Sequence, residues 1–322
     1  MKTYVYAVIV AFLLSALFCR LLLPVLKKLK AGQNILCYVK EHKKKSGTPT
    51  MGGLSFIFAA FIASCLFGDG SDRRFVAALA LGLAFAAVGF LDDFIKIKRK
   101  NNLGLKAYQK IIFQSAAAAL AGFFCYKANL TSLRLPFTQK QFQAGFFIVP
   151  LAAFIFIALV NAVNLTDGLD ALAGGAGAAY FTCFGLIIAL QQSKNSAAQT
   201  DALALLCFCL AAALFGFLLF NTSPASVFMG DTGSLSLGGF AAATAVFSGN
   251  ALYVPIVGIM FVVSVITVIA QVIYYKATKG KRIFLMAPVH HHFQQKGYSE
   301  CKISFAYAAI TALAGLFALA FI

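Results

Sequence analysis

Phe75-Val76-Ala77-Ala78-Leu79-Ala80-Leu81-Gly82-Leu83-Ala84-Phe85-Ala86-Ala87-Val88-Gly89-Phe90-Leu91 is an unbroken apolar run that stops on Asp92-Asp93. A bilayer core about 30 Å thick is crossed by a helix of roughly 20 such residues. The run therefore reads as a membrane span closed by two acids. The rest of the chain has the same character. Of its 322 residues 61% are hydrophobic and 11% charged, against roughly 45–50% and about 25% in soluble domains. That excludes a soluble fold and a disordered chain.

Ten runs of this kind follow one another, at about 4–26, 51–67, 75–91, 107–126, 144–162, 171–190, 202–220, 235–248, 252–275 and 303–321. The expected fold is all-α: one polytopic domain over residues 1–322, with about ten transmembrane helices. The first run is longer than the apolar stretch of a signal peptide, and a Lys-rich segment follows it, so it reads as a retained anchor.

Basic residues set the orientation, because positive loops stay cytoplasmic. With both termini outside, the inner connections hold 19 Lys and Arg, counting Lys110 just inside the fourth run, and the outer ones 7, and Arg20 lies inside the first span. The net charge of +17 is thus distributed as membrane topology requires, which argues against a nucleic-acid partner. The eight cysteines form no C-x-x-C pair and lie mostly in apolar runs, so neither a disulfide framework nor a zinc site is supported.

Only ten residues are Asp or Glu. Asp69, Asp72 and Asp201 fall outside and Glu41 and Glu300 in basic inner loops. The other five fall in polar segments on the inner face. Asp92 and Asp93 end a helix whose C-terminal dipole disfavours them. They are either a helix stop, with Asp92 pairing Lys96 one turn on, or a cation site. Asn161, Asn164, Asp167 and Asp170 recur every third residue, either as a polar stripe or as caps at a helix end. Asp231 opens a helix. Phe228 sits in a polar loop where an aromatic ring can stack a base. His290-His291-His292 suits a phosphate or pyrophosphate better than a metal, since three adjacent side chains diverge. Lys43-Lys44-Lys45 is a topology signal that can also steer an anion.

Gly47-Thr48-Pro49-Thr50-Met51-Gly52-Gly53, Asp92-Asp93-Phe94, the Asn161–Asp170 pattern and Pro288-Val289-His290-His291-His292-Phe293 together resemble the polyprenyl-phosphate N-acetylhexosamine-1-phosphate transferase superfamily. Within it they resemble the phospho-N-acetylmuramoyl-pentapeptide transferase branch. The likeness spans nearly the whole chain. Ala171 departs from it, standing where the family often has Gly, as do Leu103 and Tyr108, where it has basic residues.

The resemblance implies transfer of phospho-MurNAc-pentapeptide from UDP-MurNAc-pentapeptide to undecaprenyl phosphate at the cytoplasmic face of the bacterial membrane. The products would be lipid I and UMP, in peptidoglycan synthesis. It implies a Mg²⁺ cofactor, surrounding membrane lipids, and room for a homodimer. Asp92, Asp93, Asp231 and His290 would be catalytic, with Asp231 the metal ligand. Phe228 would stack uracil, with Lys45, Gly168, Leu169, Asp170 and Asn221 around the base. Thr50, Asn164, Asp167 and Gly230 would line the ribose and phosphates, and Lys96, His291 and His292 would also meet substrate. Direct attack by the lipid phosphate and a phosphorylated aspartate both suit these residues. A sister GlcNAc-1-phosphate transferase and an ion-coupled transporter are the alternative functions.

Overall fold

The computed structural model describes residues 2–29, 47–99, 104–138, 140–193 and 201–322. Among these the chain is helical almost throughout, as a bilayer demands of backbone that must bond to itself. The helices in order are α1 (Lys2–Lys28), α2 (Gly53–Phe67), α3 (Arg73–Arg99), α4 (Ala107–Lys127), α5 (Ile148–Thr166) and α6 (Leu172–Ser193). There follow α7 (Ala202–Asn221), α8 (Gly230–Phe247), the short α9 (Val254–Val257), α10 (Ile259–Ala277), the seven-residue α11 (Val289–Gln295) and α12 (Glu300–Leu319). Seven of them, α1, α3, α5, α6, α7, α10 and α12, are long and apolar enough to cross a membrane. The chain is an all-α polytopic membrane protein.

The ten anticipated runs map onto the ten longer helices, with three differences. Helix α3 does not stop at Leu91 but continues to Arg99, and Lys96, Lys98 and Arg99 occupy its last turn. Those cations favour the C-terminal dipole, so Asp92 and Asp93 sit inside a helix rather than at its end. The ninth run breaks at Gly258, between α9 and α10, where Pro255 fixes the start of the shorter piece. Two short strands, β1 (Ser132–Arg134) and β2 (Gln141–Gln143), pair antiparallel within the connection between α4 and α5, an addition to the all-α expectation.

The centre of the bundle is α8, in which every residue from Thr232 to Phe247 is buried. It packs against α3 and α5, while α1, α2 and α7 pack together and α6 lies between α7 and α12. Small residues let these backbones approach closely. A Cβ on Gly89 would collide with the carbonyl oxygen of Asp231. That contact brings the Asp92-Asp93 turn of α3 against the first turn of α8.

Candidate active site

Three carboxylates meet at this junction. Asp92 and Asp93 on α3 and Asp231 on α8 each offer an oxygen within 4.8 Å of the others. Two ammonium groups hold them together. Lys96 Nζ lies 2.6 Å from Asp92 Oδ2, 3.1 Å from Asp231 Oδ2 and 3.7 Å from Asp93 Oδ1. Lys110 Nζ, from the first turn of α4, lies 2.5 Å from Asp231 Oδ2 and 3.1 Å from Asp92 Oδ2. Asp92 pairs Lys96 one turn on, without the helix stopping there, and it also joins a three-carboxylate cluster.

Backbone and side-chain donors fix the remaining oxygens. Leu105 N–H donates to Asp92 Oδ1 at 2.7 Å. Thr232 donates to Asp93 Oδ2 through both its N–H, at 2.9 Å, and its hydroxyl, at 2.7 Å. Asn164 Nδ2 donates to Asp231 Oδ1 at 2.9 Å and to Ser234 Oγ at 2.8 Å. Three formal negative charges face two positive ones. An all-oxygen donor set with net negative charge has the chemistry that holds a hard divalent cation.

The Gly47–Gly53 segment closes one side. Phe228 N–H donates to Pro49 O at 2.8 Å, and Gly52 and Gly53 N–H donate to Phe228 O and Met229 O at 2.9 and 3.0 Å. Buried Thr50 and Asp93 press against Gly230. Gly230 has φ +74°, a left-handed conformation that glycine adopts without a Cβ penalty. The Phe228 ring is half-buried beside it. Lys45 lies outside the described residues.

The expected stripe of polar residues on α5 is interrupted. Helix α5 ends at Thr166, Asp167 caps it, and Asp170 follows a turn. Asp167 stays near the cluster and keeps part of its surface accessible. Burial, then the Asp231 and Asp93 carboxylates, push its carboxyl up to about 8. Asp170 is buried and its Oδ2 accepts Ala225 N–H at 3.1 Å, while its N–H donates to Glu300 Oε2 at 3.0 Å. Asn221 is likewise engaged, accepting Ala171 N–H at 3.1 Å and donating to Val227 O at 2.9 Å. These two side chains tie together the loops that carry Gly168, Leu169 and Phe228.

The three histidines lie on α11 and diverge as adjacent helical residues must. His290 is fully buried, its Nε2 against Gly168, and neither ring nitrogen has a hydrogen-bond partner. Burial, with His291 beside it, holds its imidazole well below the usual range, so it is neutral. His291 also lies against Gly168, and its Nδ1 is 3.1 Å from Gln294 Oε1. His292 points elsewhere: its Nδ1 accepts Leu285 N–H at 3.1 Å and its ring meets Phe284 edge-on.

Of the expected residues, Asp92, Asp93, Lys96, Asn164, Asp167, Gly230, Asp231 and Thr50 converge on one junction. Gly168, His290 and His291 form an adjoining wall, and His292 faces away from it. Lys110, Thr232, Leu105 and Glu300 are not among the expected site residues. Nothing in their own segments marks them as partners of these carboxylates, which lie far away in the sequence.

The model of glycosyl transferase family 4 matches residues 75–249, and signature 1 of phospho-N-acetylmuramoyl-pentapeptide-transferase matches residues 45–57. The chain is 43% identical over 309 residues to the phospho-N-acetylmuramoyl-pentapeptide-transferase of Clostridium perfringens (strain SM101 / Type A), covering 95% of this chain and 93% of that one. It is also 43% identical over 300 residues to the protein of that name from Listeria welshimeri, covering 91% and 90%. This chain is therefore a transferase that belongs to the phospho-N-acetylmuramoyl-pentapeptide-transferase family.

Proposed function

We propose that this protein transfers phospho-MurNAc-pentapeptide from UDP-MurNAc-pentapeptide to undecaprenyl phosphate, giving lipid I and UMP. The observation that carries this reading is the junction of Asp92, Asp93 and Asp231 with Lys96 and Lys110. Two phosphate-bearing substrates repel one another and need opposed positive charge to meet. The acidic cluster fits Mg²⁺, a hard cation that takes one or two carboxylates together with substrate phosphates. Asp231 would hold it with Asp92 or Asp93, and the ion would neutralise charge on the phosphates.

The chain's own groups do the rest. Lys96 and Lys110 are placed to receive phosphate oxygens as charge-assisted donors. Phe228 offers a half-buried face for uracil. Asp170 and Asn221 hold the two base-facing loops in register, through bonds to Ala225, Ala171 and Val227. Asp167, whose carboxyl is pushed up by burial and by the Asp231 and Asp93 carboxylates, lies beside the cluster where the donor's phosphates would enter. His290 and His291 back the loop at Gly168 and would meet phosphate or sugar where that loop parts from them. The Lys- and Arg-rich connections on this side support a cytoplasmic position for this face in a bacterial cell.

The lipid phosphate is largely ionised at neutral pH, with a second pKa near 6. A general base therefore gains little, and the aspartates act mainly by orienting and by stabilising charge. Asp92→Asn separates the roles: a defect equal at every pH from 6 to 9 is expected. Recovery of the rate above the phosphate pKa would instead make Asp92 a base, and a phosphorylated enzyme trapped without acceptor would replace direct attack.

The test of the reaction is UMP release by the purified protein in lipid nanodiscs, dependent on both undecaprenyl phosphate and Mg²⁺. Preference for UDP-GlcNAc would make it the sister transferase. No release with either donor would defeat the enzyme reading.

A further inference from the structure

Among the described residues, eight buried side-chain atoms lack a hydrogen-bond partner, and four of them lie along one seam between α10, α11 and α12. They are both ring nitrogens of His290, the hydroxyl of Tyr307 and the hydroxyl of Thr311. His290, Tyr307, Thr311 and the neighbouring Ser264 are each at most 3% exposed. Tyr307 and Thr311 stand one turn apart on α12, and Ser264 of α10 lies beside the Tyr307 hydroxyl. The Tyr307 and His290 rings meet edge to face, 6.0 Å between centroids. Buried polar groups are almost always paired, with protein or with ordered water. Unpaired groups gathered on one seam point to a shared polar partner small enough to be enclosed there.

The donors and acceptors dictate how that partner sits. Ser264 Oγ already donates its one hydrogen, to Met260 O at 3.0 Å, so it can only accept. A neutral imidazole has one donor nitrogen and one acceptor. His290 Nε2 lies against Gly168, which turns Nδ1 away from that loop. We propose that the seam binds an ordered water that bridges Tyr307 to His290. The water accepts the Tyr307 hydroxyl hydrogen and donates to His290 Nδ1 and Ser264 Oγ, the three bonds usual for a buried water. With Nδ1 the acceptor, Nε2 carries the proton and presents it at the Gly168 loop. Tyr307 is thereby a positioning residue, which fixes the tautomer and the ring of His290 rather than touching substrate. The water site follows from the unpaired groups alone, whereas its effect on catalysis rests on the function proposed above.

The test is solid-state NMR of the full chain in lipid nanodiscs, with isotopically labelled histidine and the His290 signals assigned by their loss in His290→Asn. The parent should show an unprotonated Nδ1 that receives magnetisation from water protons. Tyr307→Phe keeps the ring and removes only the hydroxyl. It should cut that transfer about fivefold, the weight of one hydrogen bond, and Ser264→Ala should do the same. Thr311→Val, which leaves all three of the water's partners in place, should not. Transfer absent from the parent, transfer unaltered by Tyr307→Phe, an equal loss in Thr311→Val, or a proton on Nδ1 would overturn the bridge. None of these readings depends on whether the protein is a transferase. For the catalytic consequence, Tyr307→Phe should slow UMP release about fivefold and slow it no further in a His290→Asn background. Losses that add in the double variant would overturn the positioning role.

Discussion

Replacing Lys110 by methionine removes an ammonium that shares its two carboxylate oxygens with any cation entering the site. Lys110 Nζ is 2.5 Å from Asp231 Oδ2 and 3.1 Å from Asp92 Oδ2, with 23% of its side chain exposed. A metal ion on the same oxygens would sit about 4 Å from that ammonium, where unit charges repel by about 4 kcal/mol at an effective dielectric of 20. The doubled charge of a divalent ion raises this, and partial exposure with salt lowers it severalfold. A net of about 2 kcal/mol remains, or roughly 30-fold in affinity. Lys110→Met should therefore bind Mn²⁺ about 30-fold more tightly than the parent, read by electron paramagnetic resonance titration in nanodiscs without nucleotide. The UDP-sugar KM should move the opposite way, rising at least ~10-fold, because a charge-assisted phosphate donor is lost. Metal affinity that stays unchanged or weakens would refute the argument that lysine and metal compete for these oxygens.

Ala171 has φ +61°, a left-handed conformation that costs a residue with a Cβ about 1–2 kcal/mol; Ala171→Gly should raise stability by roughly 0.5–1 kcal/mol once the greater freedom of the unfolded glycine is subtracted, seen as a higher Tm. Gly89→Leu drives a side chain into the Asp231 carbonyl, so it should cost at least ~2 kcal/mol and abolish transfer; near-parent activity would contradict the close packing of α3 on α8. Asp167, with its carboxyl at about 8 against about 4 when unfolded, binds its proton more tightly in the native state, so stability falls as pH rises through that window. Asp167→Asn should flatten this decline in denaturation followed from pH 5 to 9, and an unaltered slope would remove Asp167 as its source.

Much of the fold was legible because the bilayer imposes one rule on every span, and length with apolarity suffices to apply it. Where that rule is silent, the reading slipped. Asp92-Asp93 looks like a stop because locally it is unfavourable; the helix continues because Lys96 from its own next turn and Lys110 from α4 compensate the acids. No local pattern announces Lys110, since its partner Asp231 lies 121 residues away. The motif residues were legible as a set, but not their division of labour. Asp170 and Asn221, expected beside the base, spend their side-chain bonds on Ala225, Ala171 and Val227. The Asn161–Asp170 spacing fits one helix face, yet α5 stops at Thr166 and leaves the last two acids on a loop.

The enclosure of α8 has a mechanical consequence. With Thr232 to Phe247 wholly inside the protein, the residue that follows Gly230 is mounted on a post that no lipid touches. Mismatch between bilayer and protein costs fractions of a kcal/mol per Å and is absorbed by tilt at the outer ring. The outer ring here includes α1 and α10, which are mostly exposed. Thinning or stretching the membrane reaches Asp231 only after passing through packed neighbours, so the position of that carboxylate is insulated from the state of the surrounding membrane.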